Sequence, residues 1–263
     1  MPDSGLGSAL TAALALLLLL GASAYVGGVA RLQRRGDRWP LRHTMAAAAG
    51  FGCLAMTLVP PLATGMTFPM HAVRHLLLAM AAPLALALSA PITLALRTLA
   101  RRPRRILLQL LHGRWTRAVT TAPVVLTLDA GGMFAFYLTP LYSAAHQHPG
   151  LAAALSVHMF LAGCLLSWYL AGRDPMPRPV STRTRLLVLF LAAGSHDLLA
   201  KLMYARGLPE HAGSSEHLQV GAQIMFYGGD VVDWVLAAAV LASWYARTGR
   251  RLHRRGQLHR LTG

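Results

Sequence analysis

Charge is scarce in this sequence. Of 263 residues, 13% are charged and nine are acidic, whereas about a quarter of an ordinary soluble domain carries charge. That scarcity, with a mean hydropathy of +0.46, excludes a water-soluble globular class. Cysteine is scarcer still. Cys53 and Cys164 each lie inside an apolar run and form no CxxC pair. This excludes a disulfide framework and argues against zinc or an iron–sulfur cluster. GxSxG, HExxH and Gly-rich phosphate loops are absent, which leaves hydrolase or nucleotide chemistry without support, so the chain reads as non-enzymatic. No repeat of solenoid period occurs.

Apolar length is what the sequence has instead. Seven stretches reach the roughly 20 residues that a bilayer crossing needs: 8–30, 44–62, 69–92, 118–138, 150–171, 185–205 and 219–246. The links are short. The expected fold is all-α, a single bundle of seven transmembrane helices over 1–263, ending in a basic tail at 247–263. Net charge is +16, but the positive residues fall in clusters between spans, a membrane-topology pattern that argues against nucleic acid as partner. Arginines crowd the first, third and fifth links and the tail, from Arg31 through Arg102 and Arg178 to Arg255, leaving Arg74, Lys201 and Arg206 elsewhere. The positive-inside rule then places the N-terminus outside and the C-terminus in the cytoplasm. Trp39, Trp115, Trp168 and Trp244 lie near the same cytoplasmic ends. Ala22-Ser23-Ala24 resembles a signal-peptidase site, yet the preceding segment lacks Lys and Arg and contains Asp3; residues 8–30 are read as a retained helix.

Several polar residues sit where hydrocarbon is expected. His43, His112, His253 and His259 fall among the cytoplasmic arginines as ordinary basic residues, and His146, His148, His211 and His217 read as solvated outer loops. His71 and His75 stand four residues apart, about 40° around a helix, so both can face one ion. At 1.5 Å rise per residue, His75, His158 and His196 lie about 9, 12 and 14 Å below the outer surface, three imidazoles from three helices at similar depth. Arg74 either snorkels outward or pairs with an acid. Asp129, Asp197, Asp230 and Asp233 fall inside spans, where each costs about 2.5–3.5 kcal/mol to insert. Asp197 and Lys201, at i and i+4, are expected to pair. Gln219, Gln223, Phe226, Asp230 and Asp233 share one face of the last span, which should meet protein or water. Pro83 must kink or open the third span, freeing a carbonyl that needs a partner. Met66, Met70, Met159, Met203 and Met225 occupy the outer half, and a thioether beside an imidazole suits monovalent copper.

The stretch HAVRHLLLAMAAPLALALSAP, followed in order by YLTPLYSAA, HMFLAGCLLSWYLAGRDPMP, SHDLLAKLMY and QVGAQIMFYGGD, resembles the CtaG-like integral membrane family that assembles caa-type cytochrome c oxidase. The likeness runs from about residue 60 to 245. It implies a multi-pass protein of the bacterial cytoplasmic (inner) membrane that helps mature the oxidase. Such a protein would handle copper, with oxidase subunits and an outer-side copper donor protein as partners. Carried onto this chain, the candidates are His71, His75, His158, His196, Asp197 and Met225. The histidines and Met225 are then expected as metal ligands, with Asp129, Asp197, Lys201, Asp230 and Asp233 orienting those ligands or exchanging protons with them. Arg74 stands where Gln is expected and Ala72 where Met is expected. Two other readings stay open: a haem-binding electron-transfer protein, and a copper or proton transporter.

Overall fold

The structure, a computed structural model, describes residues 3–63, 67–210 and 212–262, with only the backbone of 3–8, 10, 247 and 250–262. Met66, His211, His253, His259 and the arginine side chains from Arg247 onward lie outside the described residues. All described regular structure is helical: α1 (Asp3–Arg34), α2 (Leu41–Met56), α3 (Phe68–Leu88), α4 (Pro91–Thr98), α5 (Arg101–Leu111), α6 (Arg114–Val119), α7 (Ala122–Leu138), α8 (Leu141–Gln147), α9 (Pro149–Ala171), α10 (Thr182–Arg206) and α11 (Ser215–Thr262).

By length and apolarity, α1, α3, α9, α10 and α11 can each cross a membrane, and α7 with α8, bent by 76°, is a sixth candidate if the pair forms one span. The expected second span is the shortfall. It runs as helix only for the 16 residues of α2, because the chain then meets Pro60 and Pro61, which cannot continue a helix. In the last span the arginine-rich tail continues α11 to Thr262, giving 48 residues of unbroken helix.

Helix α3 is the centre of the bundle, packed on α2, α9 and α11, while α10 lies against α11. Large apolar side chains cover the outside. Leu16, Leu17, Phe190, Val231 and Trp234 are all more than half exposed, an apolar belt that suits hydrocarbon better than water. Two buried clusters fill the inside, one around Phe68, Tyr137, Met203 and Met225 and one around Val125, Leu170, Val188 and Val240.

The arginine-bearing links meet at one end. There Arg97 pairs with Asp37 at 3.4 Å, the Arg173 amide donates to the Ala87 carbonyl, and buried Arg185 donates to the Leu170 carbonyl at 2.6 Å. Tyr25 shares its hydroxyl proton between the carbonyls of His43 and Ser89 and accepts from Trp39. His43 Nδ1 donates to the Leu88 carbonyl at 2.8 Å. Asp174, 7% exposed, accepts from the Ile92 and Thr93 amides and the Thr93 hydroxyl, at 3.1, 2.6 and 2.7 Å. A carboxylate there satisfies amides at the start of α4 that have no helical partner. Asp174→Ala is expected to cost about 2 kcal/mol, read as a lowered thermal midpoint of the purified protein.

Two π-turns interrupt the spans, Leu76–Ala81 in α3 and Thr127–Gly131 in α7. The first precedes Pro83, whose missing N–H is the donor that an α-helix would offer the Ala79 carbonyl. That oxygen points at Gly163 of α9, where an added Cβ would collide with it. The partner expected for the carbonyl beside Pro83 is therefore the bare backbone of a neighbouring helix.

On α11 the most deeply buried residues are Leu218, Ala222, Met225, Leu236 and Val240, while the expected polar face is divided: Phe226 packs on the core and Asp233 lines a cavity between helices. Gln219 and Gln223 are exposed. Gly221, Gly228 and Gly229 let Phe68, Leu76 and His196 press against the α11 backbone, so small residues rather than polar ones select the buried side.

Candidate functional site

Three of the predicted histidines reach one place. His75 of α3, His158 of α9 and His196 of α10 line a cavity of about 40 Å³ together with Asp129 of α7 and Asp233 of α11. Both π-turns contribute to its wall, through Ala79 and Met80 and through Leu128 and Asp129. Met133, Met159 and Ser167 complete the polar and sulfur-bearing lining. Such a space holds one ion or a few waters, since a single water needs roughly 10–15 Å³ by this measure.

Glycines make the notches. An added Cβ at Gly229 would strike the ring of His196, and one at Gly132 would strike His158. His75 and His196 are 4% and 2% exposed. Their rings lie parallel within 9°, centroids 6.3 Å apart. All four of their ring nitrogens are buried without a hydrogen-bond partner. His158 differs: its Nε2 donates to the Leu128 carbonyl at 3.2 Å, which leaves Nδ1 as its lone-pair nitrogen. One Asp233 oxygen is likewise buried and unpartnered. Asp129, Asp197 and Asp230 all lie near enough to Asp233 to act on it electrostatically. Among the described residues no three His, Cys, Asp or Glu side chains are gathered tightly enough to hold a metal ion.

His71 belongs to a second, outer space. Its Nε2 contacts the Tyr137 hydroxyl at 3.1 Å, and its ring stacks between Phe68 and Phe136, 6.0 and 5.8 Å away. With Arg74, His146 and Ser156 it lines a chamber of about 300 Å³ that His75 and Met159 also line. His75 and Met159 thus form the wall between the outer chamber and the inner cavity. His71 and His75 do share a face, since Tyr137 lies against both rings at 5.9 and 5.8 Å. One helical turn apart, they serve different spaces.

The remaining expected residues stand elsewhere. Met225 is fully buried in the apolar cluster with Phe68 and Met203. The Asp197–Lys201 pair does not close: Lys201 Nζ lies 5.0 Å from the Phe226 ring centroid, and Asp197 Oδ1 is buried without a hydrogen-bond partner. Asp230 stays outside the cavity lining but near enough to His196 to act on it. Arg74 finds no acid, and its Nε is buried and unpartnered. Cys53 and Cys164 are free thiols.

Sequence reasoning passed over Met80, Met133 and Tyr137. Met133 is i+4 from Asp129, a spacing that could have flagged it. Met80 is i+5 from His75, which only a π-turn brings to the same side. His146, read as a loop residue, is exposed as expected, yet its ring lies 6.3 Å from that of His71.

Helices of membrane-crossing length, closed around buried imidazoles and carboxylates, define a polytopic helical membrane protein with a polar interior site. The chain belongs to the cytochrome c oxidase caa3 assembly factor family, whose sequence model matches residues 23–247. This bears out the resemblance carried by HAVRHLLLAMAAP and the later motifs. Among curated relatives, an uncharacterized protein of Mycobacterium leprae (strain TN) is 26% identical over 271 aligned residues, covering 95% of this chain and 40% of the relative. An uncharacterized protein of Mycobacterium bovis is 31% identical over 182 residues, covering 65% of this chain and 27% of the relative. The chain therefore spans less than half the length of these relatives. No solved structure matches it.

Proposed function

We propose that this protein serves cytochrome c oxidase assembly by holding monovalent copper as cargo between His75 and His196, for delivery to an oxidase subunit. The observation that carries this reading is the stacked His75–His196 pair, with every ring nitrogen buried and unpartnered beside an ion-sized cavity. An imidazole buried without a partner costs free energy, and a metal ion offsets the part of that cost that belongs to the lone-pair nitrogen. Monovalent copper fits the donors at hand. It accepts two ligands, and the thioethers of Met80, Met133 and Met159 add soft donors of the kind it prefers. His158 is placed to join them through Nδ1, while Asp129 and Asp233 offset the cation's charge or take up protons when it leaves. The cavity's volume favours an ion over a haem, because pockets for molecules that large run to roughly 300–1,000 Å³.

In this reading the seven spans expected from the sequence all cross the bacterial inner membrane, α2 as a short one and α7 with α8 as a bent one. The arginine end is cytoplasmic, and the outer chamber opens toward a copper donor protein outside. Anaerobic titration of the purified protein with Cu(I) against a competing chelator is expected to show about one copper bound per chain, with no Soret band. No copper uptake would sink the reading. Copper flux in liposomes would instead point to a transporter.

A further inference from the structure

The outer chamber contains a cation that no acidic side chain among the described residues balances. Arg74 lines it with its Nε buried and unpartnered. His71 and His146 lie on the same wall, and no acidic side chain lines the space among the described residues. A guanidinium keeps its proton under all ordinary conditions, so Arg74, half-buried with its Nε enclosed, presents a fixed positive charge to the chamber. A bare metal cation would be repelled by it. The chamber's chemistry calls for an anion.

We propose that the outer chamber is a binding site for a small carboxylate, held by the Arg74 guanidinium with His71, His146 and Ser156 around it. The planar fork of arginine matches a carboxylate with two parallel N–H···O bonds. One fixed positive charge balances one carboxylate but leaves a phosphate dianion with uncompensated charge. The volume of about 300 Å³ is at the small end of the range for organic ligands. His146 is anchored through Nδ1, which donates to the Tyr142 carbonyl at 2.9 Å, leaving Nε2 to meet the ligand. A carboxylate bound here also masks the guanidinium that a copper ion must pass before reaching His75.

The test is run without metal, so its outcome is separate from that of the copper reading. Protein in nanodiscs of zwitterionic lipid is titrated with 13C-carboxyl propionate, and separately with inorganic phosphate, and followed by NMR. Saturable propionate binding is expected, weakened at least about tenfold in Arg74→Gln and less in Arg74→Lys, which keeps charge but loses the fork. His146→Ala alters an exposed position and keeps the test open should Arg74→Gln fail to fold; it is expected to weaken binding about threefold, the scale of one hydrogen bond. Absence of saturable propionate binding, tighter binding of phosphate, or binding unchanged in these variants overturns the proposal.

Discussion

His196→Ala is expected to abolish copper retention, lowering affinity by about 100-fold or more in a chelator competition, while the metal-free protein loses only the packing of the ring and no hydrogen bond. The two halves of that expectation arise from the same fact. A ligand imidazole carries much of the metal's binding, and even residues behind the ligands are worth 10–100-fold. A structural imidazole, by contrast, is held by hydrogen bonds, and its removal leaves partners unsatisfied at a cost of about 1–3 kcal/mol. His196 and His75 have no such partners on any ring nitrogen, so truncation strands nothing. His71→Ala should behave in the opposite way, keeping copper but losing stability, because its Nε2 engages the buried Tyr137 hydroxyl. Equal copper content in wild type and His196→Ala would show that the stacked pair is packing and not a ligand set.

The second large effect is expected at Gly163. Alanine there would drive its methyl into the Ala79 carbonyl oxygen and to within 3.1 Å of Pro83 Cγ. Neither obstacle is the flexible end of a side chain, so α3 and α9 must move apart. The expected cost is about 3 kcal/mol, the upper range for overpacking, with collapse of the cavity that these helices wall. Gly52→Ala and Gly194→Ala supply the control. Nothing lies within 4 Å of a Cβ at either site, so a change within about 0.5 kcal/mol is expected. Thermal unfolding in detergent, with copper retention measured alongside, distinguishes the two outcomes.

Much of this fold was legible because a bilayer restricts what a chain can do. Long apolar runs and alternating arginines were enough to place most helices and to gather the arginine links at one end. Where the reading slipped, local chemistry outweighed apolar length, as when Pro60 and Pro61 ended α2. The site was legible only in part. Depth along a helix follows from residue counting, so His75, His158 and His196 could be brought to one level in advance. What each ring then faces is decided by neighbouring helices. Periodicity put His71 and His75 on one face, but only the surrounding aromatics separate the chamber of one from the cavity of the other. Polar spacing on α11 suggested a stripe that meets protein or water: Asp233 and Phe226 do meet protein, Gln219 and Gln223 are exposed, and the glycines opposite Phe68, Leu76 and His196 mark where neighbours approach most closely. The π-turn that brings Met80 beside His75 has no reliable mark in a single sequence.

The polar ties of this bundle are unevenly shared between its ends. Tyr25, His43, Asp174 and Arg185 lash the arginine end together through backbone carbonyls and amides. The opposite end is joined mainly by aromatic and aliphatic packing around Phe68, Tyr137 and Tyr142. Directional bonds resist shear and rotation, whereas apolar surfaces slide at little cost as long as they stay covered. The arginine end is therefore the more tightly tied of the two, like the spring of a clothes-peg, and an opening motion would meet least resistance at the other. If copper is held behind His75 and Met159, as proposed above, that end is the natural direction for its release.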